Sequence, residues 1–257
     1  MIEPVIIGDA ELWLGDCLDI LPTLGKVDAV ITDPPYGITQ CEWDIMPNLK
    51  KLWDGLKLIG KDNCAYVFTA SQPFTTDLIN SNRAWFKYEW IWEKNKAVGF
   101  LDCRIKPMKL HENIIIFYQE TPCYNPQFYF GEPYIRGYVD RTPTSKGVYG
   151  NTKPSFVSSE DGSRFPKSII KDIGVEQRTE HPSQKPIALM EYLIRTYSNE
   201  SDTILDPFMG SGTTGVAALK LGRKFIGIEI SEQYFDIACN RIETEYNQLK
   251  LFDTVKL

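Results

Sequence analysis

The chain has 257 residues, of which 43% are hydrophobic, 12% aromatic and 24% charged. This is a globular composition with apolar mass enough for one large domain, or one domain carrying an insert, and it excludes collagen, low-complexity polymers and disordered tails. The net charge of −6 weighs against a nucleic-acid partner, but it averages over a basic middle, residues 94–185, with 14 Lys/Arg against 10 Asp/Glu. Such a patch suits a phosphate-facing surface as well as it suits an ordinary solvated face.

No apolar run approaches the roughly 18 residues of a membrane-spanning helix, so no membrane segment is expected. The N-terminus, MIEPVIIGDAELW, has no cationic stretch before an apolar one and does not read as a secretory signal. A cytoplasmic location follows. Six cysteines lie at 17, 41, 64, 103, 123 and 239 with no CxxC pair, and the chain holds 2 histidines. Free thiols and no metal site are the expectation.

In chain order, residues 11–15 and 27–32 read as short strands, the second (VDAVIT) apolar enough to be buried on both faces. Residues 46–60 read as a helix, 64–69 as a strand, 74–82 as a helix, and 88–93 and 113–118 as two further strands. From about 120 to 180 the periodicity stops. Gly, Pro, Ser, Thr and Asn are dense there, and aromatics alternate with Lys and Arg. A long irregular stretch of this kind is usually functional, and its aromatic content argues against disorder. Regular structure resumes with a helix at 187–197, a strand at 203–206 and a helix at 213–221 that Gly222 can end in a left-handed conformation. A strand at 225–230 and a helix at 232–249, capped by Ser231, complete the pattern. The expected organisation is a catalytic half over 1–119, an insert over 120–180 and a cofactor-binding half over 181–257.

Two motifs carry chemistry. DPFMGSGTTG (206–215) places Gly210, Gly212 and Gly215 at G-x-G-x-x-G spacing between a strand and a helix, and Glu229 ends the next strand. Glycines admit a ligand close to the backbone, and an acid at that second strand end suits ribose hydroxyls, so a nucleoside cofactor is implied. A nicotinamide dinucleotide fits the spacing, but Asp206 before the first glycine would sit badly beside a pyrophosphate. It would sit well beside an ammonium or sulfonium, which favours S-adenosylmethionine.

The second motif, Asp33-Pro34-Pro35-Tyr36, stands where a buried strand ends, followed by Gly37. Ligands of open parallel sheets bind beyond the carboxyl ends of strands. An exocyclic amine on a nucleobase is a poor nucleophile because its lone pair is delocalised into the ring. Acceptors on both N–H bonds, Asp33 and the Pro34 carbonyl, would favour a tetrahedral nitrogen, and Tyr36 offers a flat face to an extruded base.

The two motifs in this order resemble the permuted, beta-class amino-group DNA methyltransferases. LGD (14–16), FTASQPF (68–74), WIWEKN (90–95), HENIIIF (111–117) and HPSQKP (181–186) fit along the rest of the chain. The resemblance implies a three-layer Rossmann-like α/β fold with a mostly parallel, seven-stranded sheet, circularly permuted motif order and a loop-rich target-recognition insert. It implies S-adenosylmethionine as cofactor, double-stranded DNA as substrate and a homodimer, which no apolar stripe here demands.

Transferred by position, Asp33, Pro34, Pro35 and Tyr36 would hold the target base. Asp16, Asp206, Phe208, Gly210, Ser211, Gly212, Thr213 and Glu229 would hold the cofactor. Lys185 would meet the cofactor carboxylate, supported by His181, while His111 reads as structural. An aspartate at the first tetrad position usually accompanies adenine in this family, so the 6-amino group of adenine is the expected target. The 4-amino group of cytosine is the nearest alternative. A nicotinamide-dependent oxidoreductase and a non-catalytic DNA-binding module are the alternatives of other classes.

Overall fold

Short apolar runs alternating with amphipathic segments build a layered βα structure. The protein, a computed structural model, is described at residues 3–39, 41, 44–139, 155–176 and 184–255. In chain order the elements are β1 (Val5–Ile7), β2 (Ala10–Leu14), α1 (Cys17–Ile20), β3 (Val27–Thr32), α2 (Leu49–Ile59) and β4 (Gly60–Ala70). There follow α3 (Phe74–Ser81), β5 (Phe86–Val98), β6 (Lys109–Phe117), β7 (Tyr129–Phe130), β8 (Tyr134–Val139), β9 (Ser155–Ser159), β10 (Ser163–Arg164) and β11 (Ile169–Ile170). The C-terminal part is α4 (Ile187–Tyr197), β12 (Thr203–Asp206), α5 (Thr213–Lys220), β13 (Lys224–Glu229) and α6 (Glu232–Val255).

Two compact units result: Met1–Asn125 with Ser168–Leu257, and Pro126–Lys167. The larger holds a nine-stranded sheet in the order β1-β2-β13-β12-β3-β4-β6-β5-β11. From β2 to β4 the five neighbouring strands are parallel. β6 runs antiparallel between β4 and β5, so β5 again points with the parallel set. The mostly parallel sheet is as expected, but its strand count is nine rather than seven. Gly8 at φ +58 folds β1 back on β2 as a hairpin, and Ile169 and Ile170 pair beside Ile91 and Trp92. Both additions are too short to carry a period in the sequence.

The continuous apolar strands are buried on both faces, as their composition requires. Ala29 and Ile31 of β3, Ala65 and Val67 of β4, and Ile114 and Ile116 of β6 face one core, with Leu189 and Leu193 of α4, Val216 of α5 and Ile242 of α6. Their alternates Val30, Tyr66, Phe68, Ile115 and Phe117 face the other, with Leu52, Trp53 and Leu56 of α2 and Leu78 of α3. These are the three layers.

Several elements differ in extent from the sequence pattern. The helix expected from 46 starts at Leu49, because Pro47 precedes and the Asn48 side chain caps it, accepting from the Lys51 N–H at 3.1 Å. β5 and β6 run past their apolar stretches to Val98 and Lys109, continuing as a hairpin whose polar rungs give no hydrophobic signal. The smaller unit, expected to be irregular, contains two antiparallel pairs, β7 with β10 and β8 with β9. Inside it the Phe128 and Phe165 rings lie 4.9 Å apart and Arg164 stands 4.6 Å from the Tyr134 ring.

Gly215 shows how closely α5 seats on the sheet. A Cβ there would lie 2.6 Å from Ile242 Cδ1 and 2.7 Å from Phe225 Cε1. Overpacking of this kind costs about 1–3 kcal/mol. Gly215→Val is therefore expected to lower stability, read from the urea midpoint, by at least about 2 kcal/mol. Gly25→Ala, placed where nothing lies within 4 Å, is expected to stay within about 0.5 kcal/mol of wild type.

Candidate active site

Because β2, β13, β12, β3 and β4 are parallel neighbours, their carboxyl ends line one edge. Asp16, Glu229, the glycine loop, the tetrad and Thr69 therefore come together, although they span most of the sequence.

Asp33 is the most connected group of the tetrad. Its Oδ1 accepts from the Tyr36 hydroxyl at 2.7 Å and from the Thr69 hydroxyl, and its Oδ2 accepts from Lys185 Nζ at 2.7 Å. The Tyr36 ring stacks on Phe74 with centroids 5.2 Å apart and planes at 22°. Burial and the neighbouring Asp33 hold the Tyr36 phenol well above its usual range, so it stays protonated and donates. Pro34 is buried, and Gly37 at φ +68 turns the chain away. Asp44 closes that turn by accepting from the Gly37, Ile38 and Thr39 N–H groups at 2.8, 3.0 and 2.7 Å.

Lys185, expected at the cofactor carboxylate, stands beside the tetrad, where its Nζ meets Asp33. Its side chain is 7% exposed, and besides Asp33 it faces Glu112 Oε2 at 3.3 Å. Glu112 in turn pairs with Lys94. Burial works against every charge in this row, but the alternation of sign overcomes it. Burial would raise the Glu112 carboxyl, yet Lys185 and Lys94 bring it below its ordinary value. Burial would lower the Lys185 ammonium, yet Asp33 and Glu112 raise it. Glu112, Lys94 and Thr69 lie in segments that carry the resemblance (HENIIIF, WIWEKN and FTASQPF), but no role was expected of them individually. They lie on or beside strands that signal only burial, and the signal that could find Glu112 is a charge opening the apolar run NIIIF.

Asp206, expected at the cofactor, is engaged within the protein. It is 2% exposed and does not present a bare carboxylate to a ligand. Thr32 Oγ1 and Thr214 Oγ1 each donate to it at 2.6 Å, and the Phe208 N–H donates at 3.1 Å. It pins the end of β12 to β3 and to the first turn of α5. Phe208, half-buried, packs on the core beneath.

Beyond Asp206 the loop is open. Gly210 (φ +51) and Gly212 (φ +79) adopt conformations that side chains rarely accept, and the Cβ position of Gly210 meets nothing within 4 Å. Glu229 accepts from the Gly210 N–H at 2.9 Å and the Ser231 N–H at 2.8 Å. Its carbonyl accepts from the Gly15 N–H at 2.9 Å, which sets Asp16 beside it. Asp16 itself caps α1 through the Leu18 N–H at 2.8 Å. Ser211 and Thr213 are buried and held by Arg241, whose Nη1 donates to the Ser211 carbonyl at 2.5 Å and Oγ at 2.8 Å and to Thr213 Oγ1 at 3.1 Å. Arg241 escapes sequence reasoning, since one cation on the exposed-looking α6 pattern carries no local motif. His181 lies outside the described residues. His111 is exposed on β6. Among the described residues no His, Cys, Asp and Glu cluster could hold a metal, and no helix is long and apolar enough to cross a membrane.

Residues 27–240 match the family N6_N4_Mtase, described as DNA methylase. The chain belongs to the N6/N4 DNA methylases. One relative, Type II methyltransferase M.HpaI of Haemophilus parainfluenzae, is 44% identical over 95% of this chain and 78% of its own. Among solved structures, the M1.HpyAVI–SAM complex superposes with a TM-score of 0.61 at 24% identity, covering 91% of this chain and 99% of that one. The cytosine-N4-specific PvuII DNA methyltransferase gives 0.68 at 15% identity, covering 96% and 94%. These two likenesses show the Rossmann-like fold. The methylase uses S-adenosylmethionine. Its residues fit that cofactor: an open glycine cradle, a strand-end carboxylate at Glu229 and a second acid at Asp16 lie in one row. The oxidoreductase alternative is set aside.

The Asp206 pin has a pH signature. Burial outweighs the two threonine hydrogen bonds and pushes its carboxyl up to about 6. The folded methylase thus keeps a proton there that the unfolded chain releases near pH 4, so this group's contribution to stability falls as pH rises between those values. Relative to Asp206→Asn, which has nothing to titrate, wild type is expected to lose about 2–3 kcal/mol between pH 4 and pH 7. Chemical denaturation of both at several pH values measures it, and a constant difference removes the assignment.

Proposed function

We propose that the methylase transfers a methyl group to the 6-amino group of adenine in duplex DNA, on a base turned out of the helix, as the modification component of a restriction–modification system in the cytoplasm. The observation that carries this is the Asp33 cluster, a carboxylate at a parallel strand end, followed by Pro34 and braced by a stacked tyrosine. The adenine assignment rests on the aspartate at the first tetrad position. The named function of M.HpaI supports the modification role.

Bound S-adenosylmethionine supplies an electrophilic methyl group on a positively charged sulfur. The protein's part is to hold the amine. Asp33 and the Pro34 carbonyl accept its two N–H bonds and so turn its lone pair toward the methyl group. Tyr36, fixed against Phe74, provides the stacking face. Lys185 keeps the Asp33 carboxylate aimed. The amine releases its proton as the nitrogen–carbon bond forms, so no strong base is required. Glu229 holds the ribose hydroxyls, Asp16 the adenine of the cofactor, and the Phe208–Thr213 loop the methionine end. The Pro126–Lys167 unit, rich in aromatic and basic side chains, reads the target sequence.

Two variants separate these roles. Asp33→Ala is expected to abolish methyl transfer while leaving S-adenosylmethionine affinity within about threefold, because Asp33 contacts the base. Glu229→Ala is expected to weaken cofactor binding by about 1.5–3 kcal/mol, the worth of one hydrogen bond to a charged acceptor. Calorimetry reads both affinities. Transfer of labelled methyl to mixed-sequence duplex DNA, digested to nucleosides, reads the activity and the base. Label in 6-methyladenine is the expected result, and label in 4-methylcytosine overturns the base assignment.

A further inference from the structure

The β5–β6 connection rises from the edge that carries the tetrad. β5 points with β3 and β4, so its carboxyl end lies on the side of Asp33. At its base, Lys94 and Glu112 are members of the charged row that ends on Asp33. Past that row the hairpin leaves the core. Phe100 is 73% exposed, Leu101 96% and Ile105 85%, with Val98 and Met108 also outside. Together they form an apolar tip that contributes nothing to either core.

The tip is nevertheless built. Gly99 at φ +91 opens a short helical turn over Phe100–Asp102. Carbonyl acceptors at Gly99, Phe100 and Asp102 take the N–H groups of Asp102, Cys103 and Ile105 at 3.2, 3.2 and 2.9 Å. Its flanks are cationic: Lys96, Arg104 and Lys106 against Asp102 alone. Lys106 pairs with Asp102, while Lys96 and Arg104 are exposed and make no ion pair among the described residues.

An ordered apolar projection between unpaired cations, beside a site that needs an extruded base, has one fitting occupant. We propose that the Gly99–Met108 tip is a wedge that enters the DNA duplex next to the target base. Leu101, Ile105 and Phe100 press into the base stack, and Lys96 and Arg104 hold the flanking phosphates. Apolar side chains inserted at a base step lower the cost of unstacking, and basic side chains beside them fix the register on the backbone. The wedge rests on the reading of the chain as a base-flipping methylase and adds the element that opens the duplex.

The test uses the full chain and two double variants, Leu101→Ser/Ile105→Ser and Lys96→Gln/Arg104→Gln, with Leu101→Ser alone as the mildest change. All alter exposed positions, so thermal midpoints and S-adenosylmethionine affinity should match wild type. The apolar double variant should methylate mixed-sequence duplex DNA at least tenfold more slowly, yet retain most of its rate on the same sequences made single-stranded, where no stack has to be opened. The charge variant should raise KM for DNA and reduce the slope of log affinity against log salt by about 2, near 0.9 for each phosphate left without its cation. Unchanged duplex kinetics in both double variants overturn the wedge, as do equal losses on duplex and single strands. A lower oligomeric mass with unchanged DNA kinetics would give the tip to a protein partner instead. If wild type itself transfers no methyl group to DNA, the underlying functional reading fails together with the wedge.

Discussion

Inside the molecule one carboxylate joins two parts of the chain that lie far apart in sequence. Asp206 accepts hydroxyl groups from Thr32, 174 positions earlier, and from Thr214 in the following helix. Thr32 immediately precedes the tetrad, and Thr214 lies in the first turn after the glycine loop. The spacing between the tetrad and the glycine loop is therefore set by a pair of short hydrogen bonds across two adjacent strands, not by the loops. Methyl transfer tolerates little error in approach, and a shift of about 1 Å in such a geometry can cost a hundredfold in rate. A buried polar group fully engaged on both oxygens is a stiff way to hold that spacing.

The tetrad depends on a second device of the same kind. Asp33, Lys185, Glu112 and Lys94 form a row of alternating charges running from the strand end into the β5–β6 hairpin. Removing any one member leaves its neighbours as buried, unbalanced charges, which is costly. The row also links the acceptor that would hold the base to the hairpin that would open the duplex. Changes at one end are thus electrostatically felt at the other.

Much of this is legible in the sequence. The buried strand VDAVIT, the helix over 187–197, the glycine loop and the left-handed Gly222 (φ +69) stand where the pattern puts them, because period and turn chemistry are local properties. What cannot be read depends on strand order. Lys185 follows the HPSQ run and precedes the glycine loop in sequence, and nothing there announces its ion pair with Asp33 beyond β3. Asp206 reads as a ligand because a carboxylate beside glycines is visible, whereas its two threonine partners belong to other elements. Arg241 has no motif at all, and Glu112 and Thr69 sit in matching segments whose letters do not say which side chain serves the site. The strands β1 and β11 and the polar half of the β5–β6 hairpin are held by main-chain pairing, which leaves no hydrophobic trace.

The strand order also governs how the molecule can be made. β3, which leads into the tetrad, is flanked by β4 and β12, and β2 is flanked by β1 and β13. On a ribosome, β2 and β3 emerge well before β12 and β13. Until then both early strands carry an open edge with unpaired N–H and C=O groups, a template for wrong pairing. A chain interrupted before residue 203 would own the complete tetrad and lack both its central partner strand and the glycine loop. Translation itself thus withholds competence until β12, the glycine loop and β13 have been made.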